Sequence, residues 1–377
     1  MNRRQNFYDT MHHKKPQELI IDFGGNPLST MEGNSENLLL DYLGYKKEKE
    51  DERLLFGKTK RLDERILKYF QIDTRSVGGI LTPEESMFEM ISDTEYIDEW
   101  GIRRVYTGMY WDAVNTPLKG ATIEDLKAYR FPNPDSLPEN LLKQYEQEAK
   151  RLYEETDYVI CGEHPVYGIF ELGCWLCGFD DFLYKMAAEP EFVELFFERV
   201  LDYQKRVIEQ YYKRIGKYIH YTSSGDDYAT QNGPFISPEM FAQQIKPYFA
   251  ERIAYTRQFT DAYYLHHSCG SVIMLLEDII DSGVDILNPI QPKARDMEAN
   301  RLKREFGERI VFHGGIDTQE LLPFGDEALI RETVSKVIET MNQDGGYIFA
   351  AAHNIQEDVN PKSLTIMLET ANACRRL

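Results

Sequence analysis

Cysteine is scarce in this chain and tryptophan scarcer, with five Cys and three Trp in 377 residues. An odd, small cysteine count implies no disulfide framework, so a reducing cytoplasm is the expected compartment. No run of eighteen apolar residues occurs, which argues against a transmembrane helix. The N-terminal stretch MNRRQNFYDTMHHKKPQ is basic but has no apolar core, so it does not read as a secretory signal. Positive charge is in deficit: 43 Lys and Arg face 63 Asp and Glu, a formal charge of −20. That field repels phosphate backbones, so nucleic acid is not an expected partner, and with no transmembrane run neither is a membrane. No solenoid period, no low-complexity tract and no G-x-G-x-x-G after the first apolar run are present. What is present, 42% hydrophobic and 28% charged residues, suits a globular fold with a core large enough to need no staple.

Eight short apolar runs read as strands: 18–23, 76–81, 158–162, 218–223, 262–267, 285–289, 309–313 and 347–351. The last six are each followed by a helical pattern. Thr82-Pro83-Glu84-Glu85 and Ser237-Pro238-Glu239 read as helix starts, each with a cap residue, a first-turn proline and an early glutamate. Between Pro190 and Arg214, Phe192, Phe196, Val200 and Val207 recur at helical spacing. Strands alternating with helices give a parallel sheet, and a closed (β/α)8 TIM barrel is the simplest reading; an open doubly wound sheet is the competitor. The expected organisation is one domain over residues 1–377. Residues 1–17 form an N-terminal arm, and 96–134, with a hairpin in YIDEWGIRRVYTGMYW, form an insertion near the barrel mouth.

In a barrel, chemistry sits at the C-terminal ends of the strands. Six of the eight histidines lie on the last six strands or at their ends. His267-x-Cys269 is the sharpest pattern, because residues i and i+2 of an extended segment point the same way. An imidazole and a thiolate so placed suit zinc, and His353 at the end of the eighth strand can join them. His266 should then face the barrel wall. The plainer alternative is a hydrogen-bonded core histidine and a small buried cysteine. Cys174-Trp-Leu-Cys177 has no second C-x-x-C pair and apolar neighbours, so both cysteines read as helix core. Glu163, Asp226 and Asp227 are candidate catalytic carboxylates, with helix capping as the alternative. Gln291 and Asp317 are candidate substrate contacts, and Asp317 can equally cap the helix that follows it.

With these residues assembled, the chain resembles the uroporphyrinogen decarboxylase superfamily, and within it the corrinoid-dependent methyltransferase branch. The likeness is carried by GEHPVYGIFELGCWLCGFDDFL, GDDYATQNGPFISPEMFAQQIKPYF, LHHSCGSV with DSGVDILNPIQ, HGGIDTQELLPFG and GGYIFAAAHNIQEDVNP. It runs from about Tyr158 to the C-terminus and more loosely over the first half. The resemblance implies a (β/α)8 barrel and, for the methyltransferases, a zinc ion held by H-x-C and a distant cysteine. Here that third position falls on His353, a departure from the pattern. Two histidines and one thiolate leave zinc a stronger Lewis acid than two thiolates do, which suits a methoxy donor. The decarboxylases of the superfamily bind substrate carboxylates through an R-Q-A-G-R-type segment, and here Arg3-Arg4 are followed by Gln5-Asn6-Phe7. The resemblance therefore implies transfer of methyl between a small methoxy compound or thiol and a corrinoid (cobalamin) on a corrinoid-binding partner protein. A homo-oligomer is compatible with it. The alternatives are a metal-independent decarboxylase-like lyase and a non-catalytic barrel that binds corrinoid or tetrapyrrole.

Overall fold

The computed structural model describes residues 2–46, 61–108 and 110–376. Eight parallel strands make one sheet: β1 (Ile20–Ile21), β2 (Thr74–Gly78), β3 (Val159–Glu163), β4 (Tyr221–Gly225), β5 (Tyr263–His267), β6 (Ile286–Ile290), β7 (Val311–Ile316) and β8 (Tyr347–Ala351). Their order is β1-β8-β7-β6-β5-β4-β3-β2, so every strand from β2 to β8 pairs with its sequence neighbour. At the remaining seam, the Asp73 N–H donates to the Ile21 carbonyl at 3.1 Å, and the Asp73 carboxylate accepts the Ile21 N–H at 2.8 Å. The sheet closes as a (β/α)8 barrel. Both faces of each strand are covered, which is why the strands read as near-continuous apolar runs and not as alternating ones.

The helices expected from spacing are there. Pro190–Ile215 buries Phe192, Phe196, Val200 and Val207 on one side. Ser237 accepts the Met240 N–H at 3.2 Å and opens the next helix. Thr82-Pro83-Glu84-Glu85 does not start a helix. The Glu84 and Glu85 N–H groups, which a helix start would leave for its cap, are taken by the carbonyl and hydroxyl of Ser136 at 2.7 and 2.9 Å. Four antiparallel strands follow instead, Glu89–Ser92, Glu95–Ile97, Arg103–Tyr106 and Trp111–Ala113, so the expected hairpin is part of a larger sheet. Arg104 fastens it: its guanidinium meets Asp98 at 3.0 Å and lies 4.7 Å from the Trp175 ring centroid.

The N-terminal helix Arg3–Met11 closes the bottom of the barrel. Phe7 and Met11 pack against inward residues of the strands, among them Val159, Leu265 and Val311. Arg3 and Arg375 both bind the buried Asp73 carboxylate, at 3.1 and 2.8 Å. Arg4 spends its guanidinium on the carbonyls of Leu152, Tyr153, Thr156 and Tyr158. Access to the interior is left to the C-terminal face. Among the described residues no helix is long and apolar enough to cross a membrane.

Candidate functional site

Alternation along β5 sends His266 and His267 to opposite sides. The His266 ring faces the wall, 5.6 Å from the Tyr228 ring and 4.5 Å from that of Phe249. His267, the last residue of β5, points inward. Beyond it the loop is pinned from both neighbours: the Cys269 N–H donates to Asp227 Oδ1 at 2.8 Å, and the Gly270 N–H to Gln291 Oε1 at 2.8 Å. This holds Cys269 Sγ 3.2 Å from His267 Nε2. His353, on the loop after β8, brings its ring to 5.9 Å from that of His267. One donor atom from each of His267, Cys269 and His353 lies within 4.8 Å of the others.

The donor set fits a zinc ion. A nitrogen and a sulfur on one tetrahedral zinc sit about 3.5 Å apart, given bond lengths near 2.0 and 2.3 Å. Burial pushes the Cys269 thiol up, and its hydrogen bond with His353 pulls it down. A buried thiol of that kind becomes a thiolate when a cation lies beside it. The other four of the six strand-end histidines do not join this donor set. His164 packs against the rings of Tyr212 and Tyr264, His220 accepts the Ile160 N–H, His266 lies in the wall and His313 in the barrel core.

Two cavities meet at this triad. The inner one, about 240 Å³, is bordered by His267, Asp227, Glu163 and Glu171. The outer one, about 430 Å³, is bordered by Cys269, His353, Gln291, Asp317 and Tyr110, the last delivered by the antiparallel sheet. Among the described residues, no Lys or Arg lines the inner cavity, and Lys293 of the outer one is paired with Glu320. Burial pushes the Glu163 carboxyl up to about 7, with Arg61 opposing. Burial, then the charges of Asp227 and Asp226, push Glu171 up to about 8. The sequence reading passed over Glu171. Its signal was an acidic residue in the first turn of the helix after β3, a turn that faces the mouth.

The remaining candidates divide. Asp227 Oδ1 lies 3.7 Å from His267 Nε2, making it the carboxylate beside the donor set. Asp226, expected among the catalytic groups, is fully buried beneath the helix Ile169–Cys177. Its oxygens take the N–H groups of Phe170 and Glu171 at 3.0 and 2.8 Å and the Tyr228 hydroxyl at 3.1 Å. It anchors a helix start and presents no oxygen to the mouth. Asp317 likewise accepts the N–H groups of Gln319, Glu320 and Leu321 at 3.1, 3.0 and 2.9 Å, the capping outcome, while still bordering the outer cavity. Gln291 Oε1 accepts from Gly270 and Gln231, so that oxygen shapes the Cys269 loop. Cys174 and Cys177 are buried in their helix and every cysteine is free; burial pushes the Cys177 thiol up to about 12.

Comparison with known proteins bears on this geometry. Residues 114–374, well over half the chain, match the family described as Uroporphyrinogen decarboxylase (URO-D). A uroporphyrinogen decarboxylase of Ruthia magnifica subsp. Calyptogena magnifica is 29% identical over 101 residues, 26% of this chain and 27% of that protein. One of Hahella chejuensis (strain KCTC 2396) is 27% identical over 97 residues, 26% of each. The chain thus matches about a quarter of these curated relatives' length. Among solved structures, a methyltransferase from Methanosarcina mazei superposes with a TM-score of 0.66 at 15% identity, over 99% of both chains. At that identity the likeness is one of fold.

Proposed function

The chain belongs to the uroporphyrinogen decarboxylase family, and from that premise we propose that it is a zinc-dependent methyltransferase. It moves a methyl group between a small methoxy compound or thiol and a corrinoid carried by a partner protein, in the cytoplasm. The observation that carries this reading is the convergence of His267, Cys269 and His353 at the barrel mouth. His267 and His353 would hold the ion through ring nitrogens and Cys269 through sulfur. Bound there, zinc supplies Lewis acidity that draws charge from a donor oxygen or lowers the pKa of a thiol.

The chain's own groups do the rest. Asp227 holds the Cys269 backbone and so fixes the sulfur relative to His267. Glu163 and Glu171 are carboxyls raised to near-neutral values at the inner cavity; in the protonated form either can protonate a departing alkoxide, and in the ionised form either can receive a thiol proton. The inner cavity admits only a small substrate, and the outer one gives a partner's corrinoid its approach. One observation favours a second reading: the curated relatives are named uroporphyrinogen decarboxylases. In a metal-free lyase these same acids would carry the proton. Against it, Arg3 and Arg4 are engaged at the bottom of the barrel, away from any substrate carboxylate at the mouth.

Elemental analysis of protein purified without chelator tests the proposal. About one zinc per chain is expected, lost in His267→Ala or Cys269→Ser while the circular dichroism stays unchanged. A metal-free wild type with full activity overturns it.

A further inference from the structure

His267 is the first member of a chain of side chains that crosses the barrel interior. Its Nδ1 lies 2.5 Å from Asn288 Oδ1 on β6. Asn288 Nδ2 lies 2.7 Å from His313 Nδ1 on β7. His313 Nε2 lies 2.7 Å from Asp22 Oδ2, just past β1. Asn288, His313 and Asp22 are all essentially inaccessible to water. The register makes the chain possible: His267 pairs with Asn288 across β5 and β6, so their inward side chains share a layer.

The wiring has a direction. Asp22 is surrounded by donors: besides His313 it accepts from the Ser29 hydroxyl at 2.9 Å, the Gly25 N–H at 3.2 Å, the Asn26 amide and the Thr74 hydroxyl. With five donors converging on it, Asp22 serves as the acceptor in each of these hydrogen bonds. His313 must then carry its proton on Nε2, which leaves Nδ1 bare. A bare Nδ1 requires the NH2 side of Asn288, and that turns the Asn288 oxygen toward His267. His267 must therefore hold its proton on Nδ1. Its Nε2 is left as a lone pair, and Nε2 is the atom beside Cys269 Sγ.

We propose that Asp22, His313 and Asn288 form a positioning relay that fixes the ring orientation and the Nδ1–H tautomer of His267, so that its Nε2 is preset as a metal donor. None of the three touches the ion or the substrate. The inference rests on the zinc reading for its purpose but not for its geometry, because the tautomers are set in the metal-free chain. Partners behind a ligating histidine of this kind contribute about 10–100-fold to metal affinity.

Two measurements test it. In ¹⁵N-histidine NMR of the metal-free protein, assigned with His267→Gln and His313→Gln, His267 should appear as the Nδ1–H tautomer and His313 as Nε2–H. The opposite tautomers, or a mixture at His267, overturn the relay whether or not metal binds. The second is the Zn²⁺ dissociation constant, read by competition with a chromophoric chelator. Asn288→Ala and Asp22→Asn should weaken binding about 10–100-fold while keeping one site per chain. Asn288→Asp supplies a carboxylate acceptor to His267 Nδ1 and should stay within a few-fold of wild type. Packing alone would tolerate the isosteric Asp equally, so Asn288→Leu, of similar shape but with no acceptor, separates the roles: the relay predicts a loss like that of Asn288→Ala, and near-wild-type affinity in Asn288→Leu or Asn288→Ala overturns it. Should Asp22→Asn fail to fold, the Asn288 variants decide. A wild type that binds no Zn²⁺ yet shows the expected tautomers overturns the zinc reading and leaves the relay standing.

Discussion

A carboxyl whose burial outweighs the charges around it makes folding sensitive to base. Glu163 has an ordinary value of 4.5 and is raised to about 7 by burial. Its folded-state pKa lies above its unfolded one, so its stabilising contribution is full below pH 4.5. That contribution shrinks as pH rises and is gone once pH passes about 7. Glu163→Gln removes the penalty of charging it. The variant should be more stable than wild type at pH 8, by up to about 3 kcal/mol, and similar to it at pH 4.5. Urea unfolding at the two pH values reads the difference, and equal gaps at both would place Glu163 in water. At the donor set, His353→Ala leaves two protein ligands and should lose most bound zinc, whereas His353→Cys should keep it. Equilibrium dialysis reads both. That His267, Cys269 and His353 would converge was legible because His267 and Cys269 are two apart on an extended segment and strand ends share one face of a barrel. The jobs of Asp226 and Asp227 were not. Adjacent in sequence, they part company because the helix starting at Ile169 lies over one of them and the Cys269 loop over the other. Only the assembled fold states that difference. Asn288 and His313 were visible as strand-end residues, but hydrogen bonds across three strands leave no spacing in the sequence.

The barrel strands could be read at the level of elements because they are short runs buried on both faces, and each of the eight overlaps an expected run. Local start signals were less reliable. Ser237-Pro238-Glu239 opens a helix, while Thr82-Pro83-Glu84-Glu85, with the same chemistry, does not, since Ser136 already satisfies its N–H groups. Tertiary partners, not propensity, decided between them. The N-terminal helix is another case. The basic stretch MNRRQNFYDTMHHKKPQ, with no apolar core, read only as an arm, yet its Phe7 is fully buried at the barrel bottom against several strands. Phe7→Ala should therefore cost about 3–5 kcal/mol, as for other buried aromatic truncations. It should leave zinc content per folded chain unchanged, since the donors sit at the opposite end. Chemical denaturation with metal analysis of the folded fraction checks both halves. A loss of zinc from folded Phe7→Ala would mean that the two ends of the barrel are coupled through the strands.

The whole molecule separates scaffold from chemistry, and that separation governs what removal of the metal should do. A small zinc module unfolds when stripped, because its ligands are its core. Here the core is a closed sheet with helices around it, plugged below by Phe7 and Met11. The proposed ligands lie at the rim, and His267 stays tied to Asn288 without any ion. Chelation should leave the far-ultraviolet circular dichroism intact and the unfolding cooperative. The loss is then only the binding linkage, about 2.7 kcal/mol when free zinc stands at about a hundred times its dissociation constant. A chain of 377 residues unfolds with an entropy near 0.8 kcal/mol/K, so the midpoint should fall by only ~3 °C. Calorimetry with and without chelator measures it. A drop of tens of degrees, or loss of the cooperative transition, would make the metal part of the core and contradict a rim site. No shift at all, at saturating zinc, would mean that the triad binds no ion in the folded chain.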